Sequence, residues 1–109
     1  MFEEHVMMQT LIAGWLAMNE HQLVRVAGST EEADAVIDDL EPDSLDVALV
    51  AANFGGSPAE TARLAQRLRE KLGDVAIIGL SFLDDPIEGV EPNISKANPE
   101  KIIDYINQL

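Results

Sequence analysis

The chain has 109 residues, no cysteine, and twenty acidic against seven basic side chains, for a formal net charge of −13. That length suits a single domain, residues 1–109, with a sizeable core, and the lack of cysteine excludes disulfides, thiolate metal sites and cysteine catalysis. The negative field repels nucleic acid and anionic membrane, no apolar run is long enough for a bilayer and no basic leader opens the chain, so a cytoplasmic protein with protein partners is expected.

Helix and strand signals alternate from there. Between about His5 and Met18, apolar groups at Met7, Met8, Leu11, Ile12, Trp15 and Leu16 recur at helical spacing. A short strand is expected at Leu23 to Ala27. Ser29 and Thr30 precede Glu31 and Glu32, an N-cap with acids where the helix dipole favours them. The helix they open presents Ala33, Val36, Ile37 and Leu40, and Pro42 lies past its end. Val47 to Ala52 is apolar at every position, which marks a parallel strand covered on both faces.

Ser57-Pro58-Ala59-Glu60 carries a capping box with proline at the first helical position. Ala62, Leu64, Ala65, Leu68 and Leu72 form the face of that helix, and Gly73 is its C-cap. Val75 to Leu80 is a second apolar strand. Asp84 to Pro92 is acidic, holds two prolines and has little helical periodicity, so a loop or single turn is expected. A short strand near Asn93 to Ser95 then precedes a last helix, capped by Asn98, with Pro99 at its start and Ile102, Ile103, Ile106 and Leu109 on its buried face. Short loops joining this alternation imply right-handed parallel crossovers and a three-layer α/β/α sandwich. A doubly wound domain normally begins with a strand, and only Met1 and Phe2 stand where one belongs.

In order and spacing, the chain resembles the receiver domain of bacterial two-component response regulators, particularly those that precede LuxR-type DNA-binding domains. The residues that carry the resemblance are Glu3-Glu4-His5, Val26 to Ala33 (VAGSTEEA), Asp46 to Val50 (DVALV), Arg63 to Glu70 (RLAQRLRE), Ser81, and Ser95-Lys96 followed by Pro99 to Ile102. The match runs from Glu3 to Leu109. It implies a flavodoxin-like, receiver-like fold with the first strand missing and the fourth helix truncated, since Ser81 to Lys96 is too short for a full helix and a return strand.

The resemblance also implies a phosphoryl-transfer site: a carboxylate nucleophile on the third strand, acidic oxygens for Mg²⁺, and a hydroxyl and a lysine for the phosphoryl oxygens. Ala51 occupies the phosphoacceptor position, and a methyl group cannot be phosphorylated. Asp46 is no substitute, because it lies roughly 16 Å away at the other end of the strand. Glu3, Glu4, Ser81 and Lys96 match the remaining site positions. Each has a structural alternative: Ser81 as a loop cap, Lys96 as an ion-pair partner of Glu3 or Glu4, and the two glutamates as caps of the first helix. Phe82 would narrow a phosphate pocket, and Asn93 replaces a common switching aromatic.

The implied function is a phosphorylation-independent pseudo-receiver, not an enzyme, that binds proteins in a phosphorelay pathway without metal or cofactor. Met7, Met8, Leu11, Trp15 and Met18 exceed what one buried stripe needs, so they form either a deeply buried helix or a partner surface that includes a homodimer. The empty first-strand slot is expected to be closed by its neighbours, filled by another chain in a strand-exchanged homo-oligomer, or supplied from upstream of Met1. A flavodoxin-like small-molecule or anion binder is the other reading. Asn53 to Ser57 could cradle an anion, but the loop lacks a dinucleotide or Walker spacing and Glu60 opposes phosphate. His5 and His21 have no metal-ligand spacing and are assigned surface or capping roles.

Overall fold

The computed structural model describes residues 1–52, 54–81, 87 and 90–109. Helix α1 spans Val6–Met18, α2 Thr30–Asp39, α3 Pro58–Leu72 and α4 Pro99–Asn107; strands β1, β2 and β3 are Val47–Ala51, Ala76–Ser81 and Asn93–Ser95. The strands form one parallel sheet in the order β1-β2-β3, with Val47 opposite Ala76 and Gly79 opposite Asn93. This is the flavodoxin-like α/β architecture expected from the sequence.

The helix signals act through specific bonds. The Ser29 and Ser57 hydroxyls accept from the backbone N–H of Glu32 and Glu60, which satisfies a free donor at the start of α2 and of α3. Gly73 ends α3 at φ 72, a conformation that favours glycine, and its N–H donates to Arg69 O. Asn98 sits at the N-cap of α4 without a side-chain capping bond.

One expected closure of the first-strand slot is overturned: its two neighbours do not pair directly with each other, because Met1 to Glu3 stand between them as a bridge rather than a regular strand. Phe2 bridges Ala27 on one side and Val50 on the other, both in parallel. Phe2 N–H donates to Leu49 O at 2.8 Å, Ala51 N–H to Phe2 O at 2.9 Å, and Glu3 N–H to Ala27 O at 3.1 Å. Leu23 to Ala27 is likewise reduced: only Ala27 pairs as a bridge, and Leu23 to Val26 are not strand. The lateral order is therefore Ala27, Phe2, β1, β2, β3, the 2-1-3-4-5 arrangement of flavodoxin-like sheets.

Two apolar layers cover the sheet. Val36 and Ile37 of α2 and Leu64, Ala65 and Leu68 of α3 pack with Ala48 and Val50. Ile12 and Leu16 of α1 and Ile102 and Ile103 of α4 pack with Leu49, Ile78 and Leu80. Each fully buried aliphatic side chain contributes about 1.5–3 kcal/mol, so these layers outweigh any surface ion pair. Phe2 and Phe54 stack at 5.6 Å between ring centroids, tying the short first segment to the loop after β1.

The expectation of a truncated fourth helix, and those for Asn53 and Phe82, fall largely on residues outside the described set. Of that stretch, Ile87 and Val90 are buried. No helix among the described residues is long and apolar enough to cross a membrane.

Candidate functional site

The carboxyl ends of the strands gather Glu3, Ala51, Ser81 and Lys96. Glu3 follows Phe2 on one side of β1, and Lys96 follows β3 on the far side of β2. Ala51 ends β1 and Ser81 ends β2, so any bond between Glu3 and Lys96 crosses the ends of the two middle strands. All four residues are buried.

That bond is made. Lys96 Nζ lies 2.6 Å from Glu3 Oε2. Glu3 Oε1 accepts from the backbone N–H of His5 at 3.1 Å, and His5 Nδ1 lies 3.0 Å from the same oxygen. Burial pushes the Glu3 carboxyl up, but hydrogen bonds from Lys96 and from the backbone and ring of His5 outweigh it and hold the group below its ordinary value of 4.5. Gln9 Nε2 donates to the Glu3 carbonyl at 2.6 Å, which fixes the chain where it turns into α1. Lys96 is set in place by its own N–H, which donates to Ser81 O at 2.9 Å.

The neighbouring glutamates part company. Glu4 is exposed while Glu3 is wholly buried. Neither caps α1, whose N-cap is His5 without a side-chain capping bond and whose first turn holds no acid. Among the described residues, no group of three or more His, Asp or Glu side chains is placed to hold a metal ion.

The glycine-rich loop does not favour an anion either. Gly55 and Gly56 adopt φ 80 and 83, and a Cβ on Gly55 would meet Glu60 Cγ at 2.6 Å. An acidic side chain therefore lies against the turn. Thr61, buried on the apolar face of α3, holds the loop from behind: its hydroxyl lies 3.0 Å from Ala52 O and 2.9 Å from Phe54 O. In the sequence, the signal for Thr61 is a single hydroxyl on the helix face that also carries Leu64, Ala65 and Leu68.

Asn93 has a positive role. Its Oδ1 accepts from Ile87 N–H at 2.9 Å and its Nδ2 donates to Val90 O at 2.7 Å, so the carboxamide pins the approach to β3. Gly79, opposite it, leaves room for that carboxamide, since a Cβ there would lie 3.0 Å from Asn93 Cγ.

Of the apolar residues of α1, Met7 and Met18 are 86% and 82% exposed and Leu11 is also exposed. Met8 and Trp15 are half-buried against the α1–α4 layer. His21 bonds Asn107 Oδ1 at 2.8 Å, tying the end of α1 to α4.

No family model and no curated protein matches the sequence. Among solved structures, the chain is similar to the N-terminal domain of a response regulator/sensory box/GGDEF three-domain protein from Carboxydothermus hydrogenoformans. The TM-score is 0.72 at 18% identity, over 98% of this chain and 88% of that one. With the 2-1-3-4-5 strand order, this match shows that the chain has a receiver-like, flavodoxin-like α/β fold.

Proposed function

We propose that the chain is a phosphorylation-independent pseudo-receiver: a non-catalytic module that works by protein contact in a two-component-type pathway. The observation that carries this reading is the pairing of Lys96 with Glu3 across the ends of β1 and β2, with the methyl group of Ala51 where a phosphoacceptor carboxylate would stand. Phosphoryl transfer to a carboxylate needs that nucleophile, a cation held by free acidic oxygens and an available lysine. Here a methyl group stands at Ala51, and the buried Glu3 carboxylate is paired with the Lys96 ammonium.

The contact surface in this reading is α1. Its residues Val6–Met18 include no charged side chain, in a chain of which 25% is charged. Met7, Leu11 and Met18 fall on one stripe and point outward, and methionine adapts to irregular partner surfaces. An uncharged face also lets a second copy approach without setting like charges against each other.

Incubation with Mg²⁺ and acetyl phosphate, followed by intact-mass measurement, tests the first part. No added phosphoryl group is expected, and no saturable shift with beryllofluoride; a gain of one phosphoryl group would refute the reading. Light scattering on the wild type and on Met7→Ser/Met18→Ser tests whether the α1 stripe joins two copies.

A further inference from the structure

Helix α1 carries an exposed stripe with a gap in its middle. Met7, Leu11, Gly14 and Met18 are all exposed and stand four, three and four residues apart, the spacing that keeps side chains on the seam between two packed helices. Gly14 is the gap. Glycine inside a helix is destabilising by about 0.5–1 kcal/mol relative to alanine. Packing within the chain does not call for it here, since a Cβ on Gly14 would meet no atom of the described residues within 4 Å.

Reversed, the stripe is its own complement. In an antiparallel pair with position 7 of one helix level with 18 of the other, position 11 falls level with 14 and 14 with 11. Each Leu11 side chain then fills the gap over the other copy's Gly14, and each Met7 lies against a Met18. Continued past the helix ends, the same register sets Glu4 level with His21 and His5 level with Glu20, an imidazole beside each acid. A parallel pair would set gap against gap, Glu4 against Glu4 and Glu20 against Glu20, with the two helix dipoles aligned. Helix α1 has no charged side chain, whereas α2, α3 and α4 all carry acids. In a chain of net charge −13, it is the helix on which two copies meet with least repulsion.

We infer that α1 pairs with α1 of a second copy, antiparallel about a two-fold axis between Ile12 and Ala13, with Leu11 of each copy seated over Gly14 of the other. The pairing rests on the reading of α1 as the contact surface and adds to it the occupant and the register. A two-fold contact uses the same patch on both copies, so assembly stops at two. Gly14 lets the helix axes approach to about 8 Å, the short end of the range for packed helices. Thirteen residues give a seam of roughly 20 Å, a small interface of the kind that forms reversible dimers.

The test is cross-linking in the 109-residue chain, which has no cysteine of its own. The register sets position 7 beside position 18 of the second copy, and about 16 Å along the helix from its position 7. Mixed Met7→Cys and Met18→Cys chains should therefore form a disulfide-linked dimer in oxidised glutathione at least about tenfold faster than either variant alone. Light scattering should show a concentration-dependent dimer for the wild type. Gly14→Leu should weaken it about tenfold or more by filling the gap, while its urea midpoint stays at or above the wild-type value because a helical glycine in open space is replaced. Leu11→Gly/Gly14→Leu exchanges side chain and gap and should restore association. A wild type that stays monomeric up to about 1 mM, a dimer indifferent to Gly14→Leu, or Met7→Cys alone linking as fast as the mixture would each overturn the inference. A dimer that persists in Met7→Ser/Met18→Ser would overturn α1 as the contact surface as well, whereas fast linking of Met7→Cys alone would leave that surface standing and remove only the antiparallel register.

Discussion

Lys96 Nζ and Glu3 Oε2 lie 2.6 Å apart with both side chains buried, one residue from the first segment of the sheet and the other beyond its last strand. The pair spans the carboxyl end of the sheet and is a structural clamp. Removing one partner of such a pair leaves a buried charge, at a cost of about 3–5 kcal/mol. Lys96→Met and Glu3→Leu are each expected to lose about that much by urea denaturation. Glu3→Leu/Lys96→Met should recover most of it, and a double mutant as unstable as the sum of the singles would contradict the clamp.

The same pair sets an acid dependence. The folded-state value for Glu3 lies below its ordinary 4.5, so its contribution is fully present above 4.5 and is lost as pH falls through the folded value. Wild-type melting temperature should therefore fall steeply below pH 4.5. Glu3→Gln should start lower at neutral pH and show a shallower fall over that window.

Ala51→Asp buries a second carboxylate at the end of β1, where Ala51 is only 3% exposed. Burial of an unpaired charge predicts destabilisation on the order of 3 kcal/mol at pH 7. The loss should shrink at pH 4, where the new carboxyl protonates more readily than in water. Parallel denaturation curves at the two pH values check it; equal stability to wild type at pH 7 would mean that the site has room and charge for the acid.

Gly79→Ala brings a methyl group within 3.0 Å of Asn93 Cγ and Ile87 Cδ1. Crowding of this kind costs about 1–3 kcal/mol. Amide exchange at Ile87, whose N–H is held by the Asn93 carboxamide, should accelerate beyond what the global loss explains.

The outward and inward faces of α1 are expected to respond differently. Met7→Ser and Met18→Ser lie in solvent and should change stability by no more than about 0.5 kcal/mol. Ile12→Ala empties a fully buried site and should cost about 2–5 kcal/mol. Chemical denaturation of the three variants measures the contrast.

Much of the architecture was legible in local chemistry. Ser29, Ser57, Pro58 and Gly73 marked helix ends because capping is a matter of adjacent residues and their own backbone groups. The unbroken apolar run from Val47 to Ala52 marked a strand covered on both faces for a similar reason: every side chain on it must find apolar company. Ala51 at the end of that strand is likewise a fact of the chain itself.

Partners across the sheet were another matter. Glu3 and Glu4 are alike in sequence, and only the pairing of Phe2 with Ala27 and Val50 turns Glu3 inward to meet Lys96 while Glu4 stays outside. Asn93 gave no hint that it would bind Ile87 and Val90, nor did Met1 to Glu3 look long enough to count as a strand. Caps and apolar periodicity involve neighbours a few residues apart, so composition and spacing determined them. The buried ion pair and the bridges of Phe2 to Ala27 and Val50 join residues far apart in the chain, and only the assembled sheet brings those groups within bonding distance.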